Sequence, residues 1–224
     1  MVDLLRRKEI ELAEAEEIWL RWGHKKRLLS NIAIKVKLHI SLEEFDEAVI
    51  EVNRGKGLFE EDFHPRSLWE FMSSCSKFML GCQSEEMNSK GLKLLDEALH
   101  LAEKHGEFSK VIASLENKVR HTKGIVRKEA RSRRTYFSTT KKTLDEDIDN
   151  FVTSDLGDNE VEEFVERLMA VRYVEGLRKA CKLIPIEQVE GMGAEYFDSF
   201  EGEYGRYQSL RSQIRSLGVD RHLD

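Results

Sequence analysis

Proline is almost missing from this chain: Pro65 and Pro185 are the two in 224 residues. Because proline is the residue most hostile to helix interiors, its scarcity removes the usual breaks and makes long helices the leading expectation, with an all-β fold disfavoured. Cysteine is also scarce, and Cys75, Cys82 and Cys181 are an odd count that cannot all pair. They are expected to be free thiols in core packing within a reducing compartment, which points to cytoplasm or nucleus. No apolar run approaches the 18 residues of a membrane span, and the N-terminus lacks the apolar stretch of a secretory leader, so no membrane association is expected. There is no glycine-rich phosphate loop, no nucleophile elbow and no Cys-x-x-Cys pair. No catalytic residue and no cofactor can therefore be named, and the chain is expected not to be an enzyme.

What the sequence has in quantity is charge arranged with helical period. Charged residues make up 35% of the chain and apolar residues 40%, with both kinds interleaved. Such a pattern suits helices that each turn one face to water, and a chain of this length can bury a core without a disulfide or metal staple. From about Asp3 to His39 the spacing of Ile18, Trp22, Leu29, Ile32 and Val36 predicts one long helix, or two broken near Gly23. Ser41 with Glu44 reads as a capping box opening a short helix that ends at Gly55 and Gly57. Pro65 fits the first turn of an apolar helix through Leu68, Trp69, Met72 and Met79 to Gly81. Ser84 opens, and Gly106 closes, a helix with Leu94, Leu95, Ala98 and Leu99 inward. A long pattern then runs from Glu107 towards Ile148, interrupted at Gly124 and open to a break at Ser138-Thr139-Thr140.

Thr153 to Asn159 reads as a linker, dividing an N-terminal helical domain (1–152) from a C-terminal helical segment (160–224) that can pack on the first as one domain. In the latter, Val161, Phe164, Leu168, Val171, Val174 and Cys181 keep a spacing near 3.5 residues up to Pro185, compatible with short coiled-coil packing. The whole is expected to be all-α: a helical bundle or irregular stack of antiparallel helical hairpins, about seven helices.

One stretch carries a family likeness. Gly91, Leu95 and Ala98 occupy small, large and small positions on a helix, and Trp69 precedes them on another. Residues 69–105 thereby resemble a helical hairpin of the tetratricopeptide repeat, although the other helices do not keep a 34-residue period. The resemblance implies antiparallel helix pairs presenting a surface for a peptide.

The sharpest feature is electrostatic. Between residues 118 and 142 ten basic side chains (Lys118, Arg120, Lys123, Arg127, Lys128, Arg131, Arg133, Arg134, Lys141, Lys142) stand against one acid, Glu129. Residues 145–166 then hold ten acids and no lysine or arginine. The blocks nearly cancel within a net charge of −6. Either they screen each other as facing helices, or the basic block is a surface for nucleic acid or an acidic protein. As a surface it would use Lys118, Arg120, Lys123, Arg127, Lys128, Arg131, Arg133 and Arg134, with Tyr136 and Phe137 available for stacking. A second candidate partner site is aromatic: Trp19 and Trp22 near one end, Phe200, Tyr204 and Tyr207 near the other, although core packing is the leading reading of these residues. Glu97-x-x-His100 and Glu61-x-x-His64 have a metal-binding spacing but lack partner carboxylates on other helices, and no metal is expected. The function read from all this is a non-enzymatic interaction or scaffold subunit with a protein partner or self-association. A nucleic-acid-binding protein is the alternative.

Overall fold

The computed structural model describes residues 2–58, 65–152, 163, 164, 167, 168 and 170–183. Among these the chain is all-α, with eight helices and no strand. They are α1 (Val2–Arg21), α2 (Lys25–Ser41), α3 (Phe45–Gly57), α4 (Pro65–Leu80), α5 (Glu85–Lys104), α6 (Phe108–His121), α7 (Gly124–Val152) and α8 (Val174–Leu183). Glu163, Phe164, Arg167, Leu168 and Ala170 are helical as well. The expected linker at 153–159 lies outside the described residues.

Successive helices return on one another as antiparallel hairpins. Arg127 Nε near the start of α7 donates to the Val119 carbonyl near the end of α6, while Phe137 further along α7 meets Phe108 at the start of α6. The turns come where backbone chemistry allows them. Gly23 takes a φ of +64° between α1 and α2, in the left-handed region that glycine enters without penalty, so the first helix is two. Ser84 caps α5 by accepting from the Met87 amide, and Pro65 opens α4.

Three local expectations need correction. Ser41 is not a cap: it is the last residue of α2, its hydroxyl donates to the Lys37 carbonyl, and α3 starts behind Glu44 with no side-chain cap. The Glu44 carboxylate is instead shared by His39 and Arg6, and this tertiary contact outcompetes the local one. Gly55 does not end α3 but lies inside it, where the Phe71 ring fills the place a Cβ would take. The heptad-like run is broken too, because the chain turns at Val171-Arg172 and restarts as α8. Arg172 has a φ of +54°, and Val171 is exposed. No break occurs at Ser138–Thr140, which lie within α7.

Three apolar clusters run in series. The first gathers fourteen buried residues of α2–α5, including Ile32, Val36, Ala48, Phe71, Cys75, Met79 and Met87, with Trp19 of α1 against its edge. Burial pushes the Cys75 thiol up to about 12, so it is a packing group, not a nucleophile. The second, with Leu99, Val111, Leu115 and Ala130, joins α5 to α6 and α7, and half-buried Trp69 touches both the first and the second. The third packs Phe164, Leu168, Tyr173, Leu177 and Ala180 onto Phe108 of α6 and Leu144 and Ile148 of α7, and Phe137 joins it to the second. Gly91, Leu95 and Ala98, the positions carrying the tetratricopeptide likeness, are all buried in α5 where it meets α4.

Candidate binding surfaces on α7 and at the α1–α2 turn

Helix α7 packs on α6 along one side, and from Lys123 to Lys142 only Ala130 is fully buried. At 100° per residue, Ala130, Phe137, Leu144 and Ile148 share the inner face, leaving Ile125, Lys128, Ser132, Tyr136 and Thr139 to the outer one. Ile125 and Tyr136 are respectively 75% and 63% exposed.

The ten basic residues separate into three groups. Lys118 pairs with Asp96, Arg120 with Glu116 at 2.8 Å, Arg133 with Glu103, Lys141 with Asp145, and Lys142 with Glu146 at 3.7 Å. Arg127 donates Nε to the Val119 carbonyl at 2.8 Å, which fixes its position without neutralising it. The side chains of Lys123, Lys128, Arg131 and Arg134 have no hydrogen-bond or ion-pair partner among the described residues. Arg127, Lys128, Arg131 and Arg134 recur at helical spacing, so they form one stripe along a flank of α7.

The acidic block does not cover this stripe among the described residues. Its pairs with the basic block are the i,i+4 contacts at the junction, Lys141–Asp145 and Lys142–Glu146. The next acids look elsewhere: Asp147 takes Arg167 at 2.6 Å and Asp149 takes Lys179 at 2.7 Å. Asp145 also accepts from the buried Tyr173 hydroxyl at 2.8 Å. Burial pushes the Asp145 carboxyl up, but Lys141 and Tyr173 outweigh it and hold the group below its ordinary value. The described part of the acidic block thus holds the third cluster together, and among the described residues the two blocks pair with each other at the helix junction alone.

The proposed aromatic residues part company. Phe137 is half-buried between the second and third clusters, edge-on to Phe108 at 5.0 Å and to Tyr136 at 5.4 Å, so it is structural. Trp19 lies against the first cluster with the Arg27 guanidinium 4.9 Å from its ring centroid. Trp22 is 68% exposed at the α1–α2 turn, edge-on to Trp19 at 6.2 Å and to His24 at 6.1 Å. Phe200, Tyr204 and Tyr207 lie outside the described residues.

A groove of about 660 Å³ that sequence reasoning missed opens beside α7. Phe108, Ser132, Arg133, Tyr136, Phe137 and Arg172 line it, with Glu103 at its margin. Its far wall is the Val171-Arg172 turn, locked against the α5–α6 turn. Gly106 has a φ of +61°, and a Cβ there would stand 2.0 Å from the Arg172 carbonyl oxygen. Glu175 ties the same junction by accepting from the Ser109 amide at 2.9 Å and from its hydroxyl, capping α6 across sixty-six residues of sequence. Only the exposed Tyr136 next to a basic run could have signalled the groove in sequence. Arg172 sat inside an apolar heptad pattern and gave no sign.

For metal binding, no group of three potential ligands stands together among the described residues. Glu97 is paired with Lys56, His100 is exposed, and Glu61 and His64 lie outside the described residues. No described helix is long and apolar enough to cross a membrane. Fold and site together define a class: an all-α stack of helical hairpins whose longest helix carries an exposed, partly unpaired basic face. No protein-family model, no curated protein and no solved structure matches the chain.

Proposed function

We propose that this chain is a non-enzymatic interaction subunit that receives a protein partner along the outer face of α7. The observation supporting the reading is the combination on one helix of outward Ile125 and Tyr136 with Lys128, Arg131 and Arg134, cations that, like Lys123 just before the helix, have no side-chain partner among the described residues. Apolar anchors flanked by uncompensated charge suit an acidic amphipathic segment, the anchors supplying affinity and the charges orientation and association rate. Trp22, exposed at the far end of the stack, is a second contact point, for the same partner or for another copy of the chain. The test is crosslinking in cell extract with a photoreactive residue replacing Tyr136, comparing native protein with a Lys128→Glu, Arg131→Glu, Arg134→Glu variant. A discrete adduct that survives nuclease and vanishes in the variant is expected. Adducts indifferent to the variant would remove α7 as the partner face.

A second reading, nucleic-acid binding, draws on one observation: Arg131 and Arg134 stand unpaired on a flank where the only acid of the block, Glu129, is on the opposite side of the helix. Binding of fluorescent single-stranded RNA and DNA at two salt concentrations tests it. Affinity that falls steeply with salt and is lost with Arg131→Ala, Arg134→Ala supports it, and the absence of binding at low salt removes it.

A further inference from the structure

The groove beside α7 has a chemistry of its own, separate from the outer stripe. Its volume of about 660 Å³ falls within the ordinary range of small-ligand sites. Three of its lining residues carry aromatic rings, and they differ in freedom. Phe108 is buried, Phe137 is half-buried, and Tyr136 is mostly exposed and edge-on to Phe137, so one ring face remains available to a flat ligand. Two arginines line the same space. Arg133 is paired with Glu103, which cancels the one acid at the margin, whereas the Arg172 side chain has no partner among the described residues. Arg172 is also held in place. It adopts a left-handed backbone conformation, uncommon for a residue with a side chain, in a turn seated on Gly106 and pinned by the Glu175 contacts to Ser109. Nothing in the packing requires an arginine there, since its carbonyl, not its side chain, makes the contact with Gly106. The balance of the site is therefore one accessible ring, one uncompensated guanidinium and one hydroxyl, Ser132.

We infer that this groove binds a nucleoside phosphate, free or as the terminal unit of a strand, with the base stacked on Tyr136 and the phosphate held by Arg172. Base–aromatic stacking and arginine–phosphate pairing are general modes of nucleotide recognition, and here the ring stands on α7 while the arginine is carried by a backbone turn seated on Gly106. Tyr136 serves both readings, as a partner anchor and as the platform for the base, but Arg172 lies outside the basic stripe, so Arg172→Asn tests the groove without touching that stripe.

The test is amide shift mapping by NMR on the full chain, titrated with AMP, with inorganic phosphate and with a phosphotyrosine peptide. The variants are Arg172→Asn, chosen because asparagine tolerates the left-handed turn, and Tyr136→Ala at an exposed position. Saturable shifts with AMP confined to the groove residues are expected, with each variant weakening binding about tenfold and phosphate alone binding far more weakly. Arg131→Ala, Arg134→Ala should leave AMP binding unchanged. Comparing oligonucleotides with and without a 5′-phosphate then separates the sources. Preference for the phosphorylated end identifies a strand terminus, and equal weakness of both beside firm AMP binding identifies a free nucleotide. No saturable shift with AMP, indifference to both variants, or stronger binding of phosphotyrosine peptide than of AMP would overturn the inference.

Discussion

The two ends of this stack handle charge in opposite ways. In α1–α3 charge is drawn inward: Glu16, buried on α1, is gripped by Lys35 of α2 and by Arg54 of α3, whose Nη2 lies 3.0 Å away. The Arg54 hydrogen bond, joined by Lys35, outweighs burial and holds the Glu16 carboxyl down to about 2. The same end of the stack holds the first apolar cluster, with fourteen buried residues among those described. On α7 the same residue types are turned outward, and the side chains of Lys128, Arg131 and Arg134 have no partner among the described residues. Charge spent on three-helix networks constrains geometry, and charge left on one helix face constrains nothing in the fold. The first arrangement therefore belongs to stability and the second is free for binding.

That contrast can be broken most severely at the core. Leu95→Ala removes a fully buried side chain of α5 and should cost about 4 kcal/mol, read as a loss of urea midpoint with the slope unchanged. Acid is the next lever. The Glu16 contribution is fully present above the ordinary carboxyl value near 4.5 and is lost as pH falls from there towards 2. It amounts to on the order of 3 kcal/mol, and Glu16→Gln should flatten that part of the stability–pH curve. Gly106→Ala pushes a Cβ into the Arg172 carbonyl at a left-handed position. It should cost about 2 kcal/mol and show first as lost hydrogen-exchange protection in α8, with α2–α5 still protected. Glu175→Ala removes the cross-chain cap of α6 for about 1 kcal/mol, again felt around Ser109 and α8. Last, Lys128→Ala, Arg131→Ala, Arg134→Ala should leave the thermal midpoint nearly unmoved, within about 0.5 kcal/mol, while altering partner or anion binding. A large loss of stability in that triple variant would erase the distinction between the two regions.

Much of the architecture is legible in the residues themselves. Pro65, Ser84 and Gly106 mark helix ends that the structure keeps, because each acts through its own backbone or its nearest neighbours. Ser41 failed as a cap because a competing partner for Glu44, His39, is positioned by the α2–α3 turn together with Arg6 from α1. The heptad reading of residues 161–184 failed for a related reason: the apolar spacing continues through Val171 and Val174, but the turn at Arg172 is set by close approach to Gly106, sixty-six residues earlier. The basic block was visible as composition, yet its division into paired and unpaired members was not. Lys118 and Arg133 are neutralised by Asp96 and Glu103 of α5, which only folding brings near.

The sequence by itself determined the helices, their inner faces and the existence of a strongly basic segment. Periodicity, proline scarcity and capping act within a turn or two and need no tertiary partner. Only the tertiary structure decided which cations stay free, which tryptophan is covered, and that Tyr136 shares a groove with Arg172. Those outcomes depend on distances between residues far apart in the chain, and no local propensity encodes them.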